Sequence, residues 1–219
     1  MLKRFQIAAL GIGLFAFSPL VHADMVYYLT TDGCSSSCGT APYGTIDLTQ
    51  TNANTVTVEF TLAKGVNFAN TGAGAALAFQ INGPTPVITI LGASKPAAGD
   101  YTPSYTGVKA SAFGNFDLAI FCTGCANGGK PSNPGGPIDF TVTRNTGLSV
   151  SDFVSSLDKK GNPTGYYFAS DIMGTTGGTG NVAALAGVTA TPEPGYQVAM
   201  LGMIGAVVWL GRRRIRRTA

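Results

Sequence analysis

The sequence predicts an all-β fold: an antiparallel β-sandwich with one short helix, preceded by a signal peptide and followed by a C-terminal transmembrane helix. Three observations predict it. Apolar and polar residues alternate with period two in TVTVEFTL, Thr55 to Leu62, the pattern of a strand with one buried and one wetted face. Short runs of the same kind recur between Gly, Pro and Asn turns such as Asn82-Gly83-Pro84 and Asn133-Pro134-Gly135-Gly136-Pro137. Between these runs a 3.6-residue helical period is hard to find.

The chain opens with Lys3 and Arg4, an apolar run from Ile7 to Phe17, the breaker Ser18-Pro19, and Val21 and Ala23 at the minus-three and minus-one positions of a cleavage site before Asp24. Residues 1–23 are therefore expected to be a secretory signal peptide, because the apolar run is shorter than the ~20 residues of a spanning helix. The exported domain is expected over 24–190. Its strands are read as Met25–Thr30, Thr45–Gln50, Thr55–Leu62, Ala76–Ile81, Val87–Leu91, Phe116–Cys122, Ile138–Arg144 and Tyr166–Ile172. The helix is expected over Ser151–Leu157, with Ser149 or Ser151 as N-cap and Val154 and Leu157 facing in.

Charge and composition exclude several functions. Lys3, Arg4 and five C-terminal arginines carry the basic excess of the whole chain; Asp24 to Thr191 holds seven Lys and Arg against ten acids, a net −3. No basic stripe remains to neutralise phosphates, so nucleic acid is not an expected partner. The only histidine, His22, falls in the signal peptide. The mature domain thus has no imidazole for Ser-His-Asp or Cys-His catalysis or for a metal, and it is read as a non-enzyme with no cofactor and no metal.

The four cysteines form two close pairs, Cys34-Ser-Ser-Ser-Cys38 and Cys122-Thr-Gly-Cys125. In an exported chain such pairs read as disulfides rather than a zinc site. Local bridges, Cys34 with Cys38 and Cys122 with Cys125, are the preferred pairing among three. A thioredoxin-like role for Cys122 and Cys125 needs a helix after the pair, which Ala126-Asn127-Gly128-Gly129-Lys130-Pro131 does not favour.

Asp32, Asp47, Glu59, Asp100, Asp117, Asp139, Asp152, Asp158 and Asp171 are dispersed in sequence. A hydrolase using two carboxylates needs a facing pair in a cleft. Tyr27, Tyr28, Tyr101, Tyr105, Tyr166 and Tyr167 are candidates for a sugar-stacking surface, against their packing at core edges.

The tail, residues 191–219, has three parts: Pro192-Glu193-Pro194, the apolar run Tyr196 to Gly211, and Arg212, Arg213, Arg214, Arg216 and Arg217. As a helix the run would span roughly 24 Å. Trp209 suits a membrane interface and the arginines place that end on the cytoplasmic side. Two prolines around a carboxylate keep the boundary extended, as a processing enzyme's cleft requires.

This order of motif, apolar segment and basic cluster resembles the PEP-CTERM sorting signal of Gram-negative bacteria. Tyr166 to Leu185, with an aromatic, an Asp and a Thr-Gly-x-Val, resembles a segment often found just upstream of that signal. The resemblance implies an exosortase as processing partner and insertion in the inner membrane facing the periplasm. It further implies transfer to the cell surface or an extracellular, exopolysaccharide-rich biofilm matrix. The expected role is structural or adhesive, with exopolysaccharide a candidate partner; the alternatives are a carbohydrate-binding module and a two-carboxylate hydrolase.

Overall fold

The computed structural model describes residues 24–71, 74–93, 100–125, 128–130 and 134–189. The expected signal peptide, the Pro-Glu-Pro motif, the apolar run and the arginine cluster lie outside them. Among the described residues no helix is long and apolar enough to cross a membrane.

The described residues form sixteen strands: β1 (Asp24–Cys34), β2 (Gly44–Asn52), β3 (Thr55–Leu62), β4 (Asn67–Asn70), β5 (Ala75–Ile81), β6 (Val87–Ala93), β7 (Tyr101–Ser104), β8 (Val108–Ala110), β9 (Gly114–Phe116), β10 (Leu118–Cys122), β11 (Gly128–Gly129), β12 (Ile138–Thr143), β13 (Phe153–Val154), β14 (Phe168–Met173), β15 (Thr179–Ala184) and β16 (Val188–Thr189). Fourteen join one large, nearly closed antiparallel sheet with the path β6-β12-β3-β2-β1-β15-β14-β5-β10-β7, while β8 and β9 form a separate hairpin. The sheet turns its corner in β1. Asp24 to Tyr28 pairs with β2, and Leu29 to Cys34 pairs with β15, with a register shift between Leu29 and Thr31.

The two stretches of sheet on either side of that corner share one core. Val56, Val58 and Phe60 of β3 and Ile138, Phe140 and Val142 of β12 are fully buried; each such side chain contributes about 1.5–3 kcal/mol by leaving water. Phe79 of β5 meets Phe140 at 5.7 Å between ring centroids, and Tyr27 of β1 meets Phe168 of β14 at 4.8 Å. Sequence alternation therefore reads correctly on β2, β3 and β12.

β5 is buried on both faces. Leu77 and Phe79 enter the main core, while Ala75 and Ala78 join Ala119, Ala169 and Ala183 beneath Phe113 and Phe116 of the β8–β9 region. Alanines there leave room for that hairpin to lie close against the sheet, so this stretch has no open face.

The expected helix over Ser151–Leu157 is not formed. Val150–Asp152 makes a single 3-10 turn, then Phe153 and Val154 pair with Ile81 and Gln80 of β5, and Leu157 bridges Asn115 and Pro163. An aromatic and a β-branched residue side by side favour the available sheet edge over helix continuation. The cap position does hold: the Asp152 carboxylate accepts the Ser149 N–H at 2.8 Å.

The sheet stops short of closing between β6 and β7. There the Ile88 N–H donates to the Tyr105 hydroxyl at 3.0 Å, a side chain standing where a strand would. Pro103 in β7 suits such an edge, because it has no N–H to leave unpaired.

Candidate functional site

Both expected disulfides form: Cys34–Cys38 with Cα atoms 5.9 Å apart, and Cys122–Cys125 at 5.3 Å. Cys122 ends β10, and the turn after it is held by Thr123, whose N–H and hydroxyl both donate to the Asp100 carbonyl. At the other pair the Asp32 carboxylate accepts the N–H groups of Cys34 (2.9 Å) and Cys38 (3.1 Å) and the Tyr43 hydroxyl (3.1 Å). Slight burial works against the charge, but these donors, with Ser37, outweigh it and hold the Asp32 carboxyl below its usual range. Asp32, Cys34 and Cys38 lie close enough to suggest a metal cluster. Bonded sulfurs are not thiolates, and Asp32 already serves the loop, so the group is a structural knot.

The Gly/Thr-rich stretch before the tail packs onto this knot. Ser35 N–H donates to the Thr179 carbonyl, and the Thr176 hydroxyl donates to the Ser37 carbonyl. A Cβ on Gly174 would strike the Cys38 carbonyl oxygen, and one on Gly178 the carbonyl oxygens of Ser36 and Ser37. Both glycines are required by that approach of two backbones.

Asp171 of β14 is fully buried. Its carboxylate accepts the Thr71 N–H at 2.5 Å and the Thr71 hydroxyl at 2.6 Å, fastening the segment between β4 and β5. Burial pushes its carboxyl up, against the opposing pull of the Thr71 and Gly74 donors.

A cleft of about 500 Å³ lies between the β2–β3 turn and the segment after β12, lined among others by Gln50, Asn52, Arg144, Leu148 and Asp152. It holds one carboxylate, and that is committed: Arg144 donates to Asp152 at 2.8 Å, to the Gly147 carbonyl and to the Asn82 carbonyl. Gln50 likewise bridges Leu148 and Val150. Such a cleft offers no facing acid pair for glycoside hydrolysis.

The outward face of β2, β3, β12 and β6 carries rows of threonines and acids. In register across it run Thr49–Thr57–Thr141–Thr89, flanked by Thr45–Thr61 and Thr55–Thr143. Between them runs an acidic row, Asp47–Glu59–Asp139. Carboxylates directly opposite one another repel when charged. Asp139 also buries its Oδ1 with no hydrogen-bond partner among the described residues. In sequence the three acids are scattered.

The tyrosines do not form a row. Tyr27 and Tyr101 are core residues whose hydroxyls burial pushes up; Tyr28 is exposed on β1 and Tyr105 just after β7; Tyr166 packs edge-on against Phe113. No protein-family model matches the chain, and neither a curated protein nor a solved structure matches it.

Proposed function

We propose that this chain is an exported surface or matrix protein of the PEP-CTERM kind, structural or adhesive rather than enzymatic. It is delivered by a signal peptide, held in the inner membrane facing the periplasm by its tail, and then processed by an exosortase. The observation that carries the reading is the tail itself, Pro192-Glu193-Pro194 followed by the apolar run Tyr196–Gly211 and five arginines. Two short-range disulfides suit an oxidising destination. Within this reading the nearly closed sheet is an antiparallel β-sandwich presenting its threonine- and carboxylate-covered face outward.

Of the alternatives, glycan binding by stacked tyrosines loses support because Tyr27 and Tyr101 are in the core. A two-carboxylate hydrolase gains no support from the cleft at Arg144, which holds a single acid, Asp152.

The test is intact mass and location in a host with an exosortase and in one lacking it. Loss of the segment beyond Pro194 and release to the surface, only with the enzyme, is the expected result. A full-length membrane form in both hosts refutes processing.

A further inference from the structure

Six large apolar side chains are exposed among the described residues, and they fall into two groups. Val87, Leu91 and Tyr105 line the β6–β7 seam, where Tyr105 serves the closing hydrogen bond. Tyr28 (46% exposed), Leu185 (50%) and Val188 (56%) lie midway along the path, beside β1. Leu29 pairs with Ala184 and both face the core, so the residues beside them, Tyr28 and Leu185, turn outward together. The chain then runs back along β1. Gly187 lies so near Met25 and Tyr27 that a Cβ would touch both, and β16 pairs with β1. Residues 185 to 188, Leu-Ala-Gly-Val, carry no charge.

From this we infer that Tyr28, Leu185 and Val188 form a lipid-contacting edge, which rests at the bilayer interface while the chain is anchored. The inference builds on the membrane reading of the tail. Seven residues, 189–195, separate Val188 from the apolar run, a reach of no more than about 25 Å even fully extended. The tether therefore keeps this edge within reach of the membrane. A tyrosine beside two aliphatic side chains is suited to the headgroup boundary, with the ring in the apolar zone and the hydroxyl in water. The domain's net −3 charge gives anionic headgroups no pull on it, so the contact is apolar in origin and insensitive to salt.

The experiment uses the full chain in zwitterionic proteoliposomes whose lipids are brominated high on the acyl chains. Trp209, the only tryptophan, is replaced (Trp209→Phe), and single probes are introduced as Leu185→Trp and, for comparison, Val87→Trp, an exposed apolar position at the β6–β7 seam. The Leu185 probe should be quenched at least about twofold more than the Val87 probe, as expected for side chains that enter the acyl boundary, with no change on adding salt. Equal quenching of the two, with the chain retained through alkaline carbonate, overturns this inference alone. Release by carbonate overturns the anchoring reading and the lipid contact with it.

Discussion

Asp171 offers the sharpest test of how the fold is held, because charge and hydrogen bonding pull there in opposite directions. Replacing it with alanine removes the acceptor for the Thr71 N–H and hydroxyl, at 2.5 and 2.6 Å. Hydrogen bonds to a charged group contribute about 1.5–3 kcal/mol each, and orphaned donors cost more when buried. Thr71 is only half-buried, so water recovers part of the loss, and Asp171→Ala should cost about 2–4 kcal/mol, or roughly 5–15 °C in Tm for a domain of this size. Asp171→Asn keeps the shape, accepts the Thr71 N–H and can donate to its hydroxyl, while removing the cost of burying a charge.

The asparagine variant should therefore match or exceed the wild type at pH 7. The raised carboxyl fixes the sign of the pH dependence. Because the native state holds this proton more tightly than the unfolded chain, Asp171's contribution is most favourable below the unfolded carboxyl range and declines as pH rises through the native value. Asp171→Asn should remove that decline. Urea unfolding at several pH values, with disulfides intact, measures all of this. An asparagine variant as damaged as the alanine one, or an alanine variant within 0.5 kcal/mol of wild type, refutes the account.

Further outcomes follow from neighbouring features. Gly178→Ala, which drives a methyl into the Ser36 and Ser37 carbonyls, should cost about 2–3 kcal/mol, whereas Gly92→Ala, whose added Cβ would come no nearer than 3.9 Å to Asp139 Oδ2, should be neutral or slightly stabilising in thermal melts. Replacing both Cys122 and Cys125 by serine should cost about 2 kcal/mol for so short a loop, and thiol alkylation without reductant should label no cysteine in the parent. Arg144→Lys cannot reach the Asp152 carboxylate and two carbonyls at once, so it should lose nearly as much stability as Arg144→Ala. Asp32, held below its usual range by N–H and O–H donors, contributes stability above the unfolded carboxyl range that is lost as pH falls through its native value; Asp32→Asn should blunt that acid-side loss.

What was legible in sequence was whatever depends on neighbours along the chain. Thr55–Leu62 could be bounded as a strand because its alternation is itself the cause of its one-sided burial. The two disulfides were legible because each closes a turn of a few residues in a chain whose first residues read as an export signal. β15, by contrast, reads Thr-Gly-Asn-Val-Ala-Ala, with too little β-propensity or alternation to announce itself. It is a strand because β1 and β14 flank it on both sides.

The helix expected at Ser151–Leu157 was lost to the same tertiary effect, since the edge of β5 gave Phe153 and Val154 partners that a lone helical turn could not match. The candidate surface divides in the same way. Alternation in β2, β3 and β12 marks their threonines and acids as outward, but only strand register sets Asp47, Glu59 and Asp139 side by side. Asp171 and Thr71, 100 residues apart in sequence, meet only in the fold. The sequence alone determined period and turns, because these are written in adjacent residues. Register, the choice of sheet edge and the company of each carboxylate were decided by tertiary structure, because they depend on which distant strand lies 4.8 Å or so away.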